Sequence, residues 1–263
     1  MLVNVEGGEA FVNTGGRALD VSLPSLVFVH GSGLDQSVWA LQNRYFAHLG
    51  LNALAVDLPG HGKSARPTPV ATISGYSDWV KSLIGALGLK DYTLVGHSMG
   101  SLIALDAAAK TEPSKLILLG AADAIPVHPS LLEAAKDDVA GAASFMAATG
   151  FGPRGHRGPS AVPGNNLLAN GQRLFEHGQE QLLFDDLAAC DGYGDGLTVA
   201  AKVACPALLI LGQVDRMTPV KRGKALAAAL PKAQVEILPG TGHMVMLEEP
   251  RRVNRLMRDF LAA

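Results

Sequence analysis

The sequence predicts an α/β protein built on a mostly parallel sheet flanked by helices. Short, largely apolar runs recur along the chain: Leu26–Val29, Ala53–Val56, Tyr92–Val95, Leu116–Leu119, Ala207–Leu211 and Val235–Leu238. Strands with so few polar positions suit a sheet covered on both faces. Most of these runs are separated by segments of helical composition, and strand–helix alternation implies parallel strands with right-handed crossovers. Several runs also end in glycine-bearing turns, among them His30-Gly31-Ser32-Gly33 and Asp57-Leu58-Pro59-Gly60-His61-Gly62. Ligands of open α/β sheets sit beyond these carboxyl ends.

From the N-terminus, Val3–Val5 and Ala10–Val12 flank Gly7-Gly8, a pair suited to a tight hairpin. Helices are expected over about 37–49, 73–87, 99–111, 220–230 and 250–261, where helix formers recur at helical spacing. The alternation stops between Ala122 and Val203. A helical piece from Leu131 to Thr149 leads there into the Gly/Pro-rich stretch Gly150–Pro159, followed by helical patterns over 166–176 and 179–189. A block this long inside a compact domain is usually functional. The expected division is therefore a core of residues 1–121 and 204–263, with a small helical cap, 122–203, inserted between two strands.

Composition limits the function classes. The 263 residues are 48% hydrophobic and 17% charged, which fits a globular chain rather than a disordered one. Basic and acidic residues number 22 and 24, a net charge of -2 without strong clustering, so neither nucleic acid nor an anionic membrane is an expected partner. The first residues lack the basic flank and long apolar stretch of a secretory signal, and no run of eighteen apolar residues occurs. Cys190 and Cys205 are expected to be buried free thiols, and a cytoplasmic location follows. No zinc-like Cys/His spacing or phosphate-binding glycine loop is found, so neither a metal nor a cofactor is expected. Oligomeric state is left open.

The chemistry centres on Leu94-Val95-Gly96-His97-Ser98-Met99-Gly100-Ser101. A β-branched and apolar run precedes it and a helical one follows, so Ser98 stands at the apex of a strand-to-helix turn. Such a turn strains the apex backbone and pushes the side chain outward, while Gly96 and Gly100 avoid collisions as the helix folds back. A nucleophilic serine needs a base, and the base needs an orienting carboxylate. Asp215 lies three residues past the Ala207–Leu211 run, and His243 lies in a glycine-bracketed loop after the next one. The order Ser98, Asp215, His243 is that of a nucleophile elbow and its triad partners.

With "VHGSG", "DLPGHGKS", "GHSMG", "GQVDRMTP" and "GTGHMVMLEEP" in this order, the chain resembles the α/β-hydrolase superfamily over nearly its whole length. The resemblance implies a catalytic triad of Ser98, Asp215 and His243. It also implies an oxyanion hole made by the backbone N–H groups of Ser32 and Met99, to which the Ser32 hydroxyl adds a candidate third contact. His97 is expected to pack away from the nucleophile, and His61 and Asp57 to hold loops through hydrogen bonds.

Within the superfamily, a serine at the apex argues against the dehalogenase and epoxide hydrolase branches, which carry aspartate there. Met99 departs from the tryptophan of cofactor-free haloperoxidases, and "HGSGLDQSVW" departs from the "HGxGPG" turn of carbon–carbon bond hydrolases. Hydrolysis of a small-to-medium, largely apolar carboxylic ester is the expected activity, with lactone and thioester hydrolysis as close variants. Met99, Met217, Met244, Met246, Phe145, Met146 and Phe151 are candidate walls of an adaptable apolar pocket. Arg154, His156, Arg157 and Arg173 are candidate contacts for a substrate carboxylate. A non-catalytic small-molecule receptor of the same fold is the alternative from another class.

Overall fold

The computed structural model describes residues 1–66, 70, 72–157, 166–176 and 182–263. Its strands are β1 (Leu2–Val5), β2 (Gly8–Asn13), β3 (Ser25–Val29), β4 (Asn52–Val56), β5 (Tyr92–His97), β6 (Lys115–Leu119), β7 (Ala207–Gly212) and β8 (Ala233–Leu238). They form one sheet in the order β1-β2-β4-β3-β5-β6-β7-β8. The β1–β2 and β2–β4 pairs are antiparallel, and every pair from β4 to β8 is parallel. The chain passes from β3 to β4 on one side and then returns to β5 on the other. The order therefore switches between β3 and β5, whose carboxyl ends carry the turn at residues 30–33 and Ser98. A crevice forms at such a switch point because the connections leave in opposite directions.

The period-2 geometry of strands explains why these runs are apolar throughout. Leu26 and Phe28 join a core on one face of the sheet with Ile117, Leu119, Leu208 and Ile210. Val27 and Val29 join the opposite core with Leu116, Leu118, Leu209 and Leu211. Helices close both faces. A 3₁₀ turn (Gln36–Trp39), α1 (Ala40–His48) and α12 (Pro250–Ala262) contribute Trp39, Phe46, Val253, Met257 and Phe260 to the first core. The helices α2 (Ile73–Ala86), α3 (Met99–Thr111) and α10 (Val220–Ala229) contribute Leu83, Leu102, Ile103 and Leu226 to the second. Thr72 caps α2 by accepting the Gly75 N–H at 3.0 Å, and Asp35 caps the 3₁₀ turn through the Ser37 N–H at 2.7 Å.

The first hairpin differs in register from the sequence expectation. Val5 pairs with Gly8, so the two-residue loop is Glu6-Gly7, at φ 51° and 83°. A two-residue loop of this kind needs positive φ at both positions, and Gly8 instead opens β2.

The described residues between β6 and β7 hold six helices: α4 (Pro129–Asp137), α5 (Val139–Gly150), α6 (Pro153–Arg157), α7 (Leu167–Glu176), α8 (Leu182–Asp191) and α9 (Gly196–Ala200). The single helix expected over 131–149 is two, because Asp138 leaves helical geometry and caps α5 through the Gly141 N–H at 3.0 Å. The stretch expected to be irregular holds α6, while Gly158, Pro159 and the start of the helix expected from Gln179 lie outside the described residues. The sequence reading missed α9, which packs against α3 and α10. Cys190 is a buried free thiol, and Cys205 is free but only half-buried. No described helix is long and apolar enough to cross a membrane.

Candidate active site

Between the last residue of β5 and the first of α3 stands Ser98 alone, at φ 55° and ψ −121°. A non-glycine residue is rarely held there, at a cost of roughly 1–3 kcal/mol that the surroundings must offset. The Ser98 N–H donates to the Leu119 carbonyl at 3.1 Å, and Ser101 Oγ donates to the Ser98 carbonyl at 2.6 Å. A Cβ on Gly96 would overlap the Gly100 carbonyl, and one on Gly100 would overlap the Val29 and His30 carbonyls. The Ser98 side chain is half-exposed between buried His97 and buried Met99. Met99 opens α3, where backbone N–H groups have no intrahelical partner.

Asp215 and His243 meet across the loops that follow β7 and β8. Asp215 Oδ2 lies 2.8 Å from His243 Nδ1, and both residues are buried. The other carboxylate oxygen accepts the Met217 and Thr218 N–H groups, both at 2.8 Å. Thr218 Oγ1 donates to Asp215 Oδ2 at 2.7 Å and lies 3.1 Å from His243 Nδ1. Burial pushes the Asp215 carboxyl up, but His243 and the Thr218 hydrogen bonds outweigh it, and the net displacement is downward. An ionised carboxylate at Nδ1 holds the ring as the Nδ1–H tautomer and leaves Nε2 as an acceptor. That nitrogen is buried and has no hydrogen-bond partner among the described residues.

The backbone of His243 is held on both its N–H and its carbonyl, and the preceding Gly242 is held as well. Its N–H donates to the Gly150 carbonyl at 2.7 Å, and its carbonyl accepts His97 Nε2–H at 3.1 Å. Glu248 accepts the Gly242 and Gly152 N–H groups, each at 2.9 Å. Burial raises the Glu248 carboxyl despite those two bonds. His97 is a buried packing residue, as expected, and the partner it packs against is His243. Its ring centroid lies 4.7 Å from that of His243, and burial together with that neighbour keeps it far below the ordinary histidine value. The imidazole of His243 thus rests on the residue that precedes Ser98.

The turn after β3 lies against the elbow: a Cβ built on Gly31 would be 3.1 Å from Ser98 Cβ. His30 Nδ1–H donates to the Gly31 carbonyl at 2.9 Å, while Nε2 accepts the Leu58 N–H at 3.1 Å. Burial and nearby His61 drive His30 down to about 3, so it stays neutral. Ser32 Oγ lies 3.6 Å from Cys190 Sγ. Asp57 and His61 do bind loops: Asp57 accepts the Gln36 and Lys63 N–H groups at 2.8 and 2.9 Å, and His61 Nε2 reaches Asp186 at 2.8 Å.

Ser98 and Ser32 open into a cavity of about 200 Å³. Its walls are mainly apolar, with Ile125, Val127, Leu131, Phe145, Met146, Leu187 and Met217 among them. Phe145, Met146 and Met217 thus line the pocket as expected. Met99, Met244, Met246 and Phe151 do not line it and are buried in the two cores instead. Arg154 pairs with Glu249, His156 Nε2 lies 3.2 Å from the Phe151 carbonyl, and Arg173 is not in the cavity wall. The Arg157 side chain lies outside the described residues. Among the described residues, the basic side chains that do line the cavity are His128 and Arg216. Asp123, at a strand end, is held by Arg222 at 2.8 and 3.1 Å. Among the described residues no three His, Cys, Asp or Glu side chains form a metal-holding group.

Thr218, Glu248 and Asp186 were missed by sequence reasoning. Thr218 left a signal, because Asp-x-x-Thr after a strand suits a side-chain turn in which Asp caps the following amides. Asp186 left none, since its partners lie more than a hundred residues away in sequence, and Glu248 joins nearby Gly242 to distant Gly152 in a loop with no periodic signal.

The model of the family described as "Alpha/beta hydrolase family" matches residues 26–256. Protein ABHD8 of Bos taurus is 29% identical over 251 residues, covering 90% of this chain and 55% of that protein. The chain thus spans about half the length of that relative. An (E)-2-((N-methylformamido)methylene)succinate hydrolase of Acinetobacter baylyi is 25% identical over 260 residues, covering 90% of this chain and 89% of that one. The solved structure of a thermophilic esterase superposes with a TM-score of 0.80 at 25% identity, covering 100% of this chain and 96% of that one.

Proposed function

The chain belongs to the alpha/beta hydrolase family, and on that premise we propose that it is a serine hydrolase of small-to-medium, largely apolar carboxylic esters. In this reading Ser98 is the nucleophile, His243 the base, Asp215 its orienting partner, and the Ser32 and Met99 N–H groups the oxyanion donors. The observation that carries the reading is the buried Asp215–His243 pair, 2.8 Å apart, on an imidazole packed against His97 beside a strained serine.

His243 Nε2 takes the Ser98 proton as Oγ bonds to the acyl carbon, and the carbonyl electrons move to an oxyanion held by the two amides. The same Nε2 then gives its proton to the leaving alkoxide as the acyl–oxygen bond breaks. Water next delivers a proton to Nε2 and its oxygen to the acyl carbon, and collapse of the second oxyanion releases the acid and re-protonates Ser98. In the apo state such hydrogen bonds are often loose and tighten only with substrate. A cavity of about 200 Å³ with apolar walls supports a short or medium acyl group over a long one, and an esterase among the solved structures supports the ester reading. Lactones and thioesters need the same machinery and are the close alternatives. The segment 122–203 serves in this reading as the cap that covers the acyl group.

The test is turnover of p-nitrophenyl acetate and butyrate, with a lactone and a thioester assayed alongside, plus labelling by a fluorophosphonate. Wild-type protein should hydrolyse at least one ester and be labelled, and Ser98→Ala should do neither. Binding of small molecules with no turnover and no labelling would favour a receptor instead.

A further inference from the structure

Asp186, on α8 in the segment between β6 and β7, is a buried carboxylate that the mechanism above does not use. Its three partners come from three different parts of the core. Oδ2 accepts the Gly33 N–H at 2.8 Å and His61 Nε2–H at 2.8 Å, and Oδ1 accepts the Tyr76 hydroxyl at 2.9 Å. His61 and Tyr76 are buried as well. A charge removed from water in this way is retained only with several good partners. One of those partners is the backbone of the turn beside Ser98.

We propose that Asp186 is a positioning residue for the oxyanion turn, so that α8 sets where the Ser32 N–H points. This inference rests on the reading of Ser32 and Met99 as oxyanion donors. The turn is soft by composition, because glycine stands on each side of Ser32 and Gly33 sits at φ +66°. Two grips restrain it. From the sheet side His30 Nδ1–H holds the Gly31 carbonyl. From the insertion side Asp186 holds the Gly33 amide, one peptide beyond Ser32. One helical turn further along α8, Cys190 Sγ lies 3.6 Å from Ser32 Oγ, so residues i and i+4 of one helix face touch consecutive residues of the turn. Oxyanion stabilisation depends on donors fixed before the charge develops, so loosening the Gly33 grip acts on the transition state more than on substrate binding.

His61 strengthens the grip. Burial alone would push the imidazole down, but the Asp186 charge and hydrogen bond raise it overall. Burial likewise pushes the Asp186 carboxyl up, and His61 and the Gly33 N–H outweigh it, so the carboxylate is favoured where it faces Gly33. The insertion is therefore not an independent cover. It carries a part of the frame on which the expected catalysis depends.

The experiment compares wild type, Asp186→Asn, Asp186→Leu and Asp106→Asn. Asp106 is a buried carboxylate on α3 bonded to Ser77, Lys110 and Tyr193, none of them in the turn, and serves as a control for lost stability. Steady-state kcat and KM on p-nitrophenyl butyrate are measured with Tm, and amide exchange is followed at Ser32 and Gly33. For Asp186→Leu the expectation is a 10- to 100-fold fall in kcat, KM within about threefold, and faster exchange at Ser32 and Gly33. Asp186→Asn retains an oxygen for the Gly33 amide and should recover part of kcat. Asp106→Asn should lower Tm while leaving kcat and the two amides unchanged. Should Asp186→Leu not fold, Asp186→Asn against Asp106→Asn decides the matter by the same two readouts. Unchanged kcat in the Asp186 variants, or losses that follow Tm in all variants alike, overturns the proposal. A wild type that hydrolyses no ester overturns the esterase reading instead, and unchanged exchange at Ser32 and Gly33 would then still refute the grip itself.

Discussion

Asp215 Oδ2 and His243 Nδ1 stand 2.8 Å apart with both residues out of water, and Thr218 Oγ1 touches both of those atoms. The carboxylate is also saturated by two amides, so it is fixed before any substrate arrives. Asp215→Asn keeps the shape but presents an amide that favours the wrong imidazole tautomer. The expected result is a fall in kcat on the order of 10³–10⁴-fold with KM little changed. Thr218→Val should cost about tenfold, the scale of one hydrogen bond to a charged group. Steady-state kinetics on a p-nitrophenyl ester checks both, and a Thr218→Val effect as large as that of Asp215→Asn would contradict the supporting role given to Thr218.

Ser98 occupies a backbone conformation that glycine tolerates freely and other residues adopt only under strain. Ser98→Gly should therefore be more stable than Ser98→Ala by about 1 kcal/mol, although both lose hydrolysis. Urea unfolding of the two variants gives the comparison. Equal midpoints would show that the elbow holds no strain.

Glu248 ties two glycine amides together, Gly242 beside His243 and Gly152 from the segment between β6 and β7. Glu248→Ala leaves both N–H groups buried without an acceptor. The expected cost is about 2–6 kcal/mol of stability, from roughly 1–3 kcal/mol for each of the two orphaned groups. Because the His243 loop is released at the same time, kcat should fall along with the denaturant midpoint.

Acid sensitivity follows from His30. Burial drives its value down to about 3, against an ordinary 6.5, so between those limits the unfolded chain binds a proton that the folded chain refuses. Stability contributed by this group is complete above pH 6.5 and is lost toward pH 3, at about 1.4 kcal/mol per pH unit. His30→Gln can keep the bonds to Gly31 and Leu58 without titrating. The stability difference between wild type and this variant should therefore move in favour of the variant as pH drops from 7 to 5. Parallel curves would mean that His30 does protonate in the folded protein.

Elements whose cause is local were legible from the residues alone. The apolar strands, the amphipathic α12, the split between serine, aspartate and histidine along the chain, and the glycines around the elbow all leave periodic or spacing signals. Local competition could mislead even there: Asp138 breaks one expected helix into two, and Glu6 takes a turn position that the reading gave to glycine.

What the sequence by itself determined was an alternating α/β framework and the residue types at its strand ends, because backbone periodicity and turn chemistry act over a few positions. Tertiary structure alone decided that His97 packs on His243, that Glu248 accepts the Gly242 amide and Asp186 the Gly33 amide, and that Arg216 rather than Arg154 lines the cavity. Those outcomes depend on partners separated by up to more than a hundred residues, which only the packing of loops and helices at the carboxyl ends of the strands brings into reach.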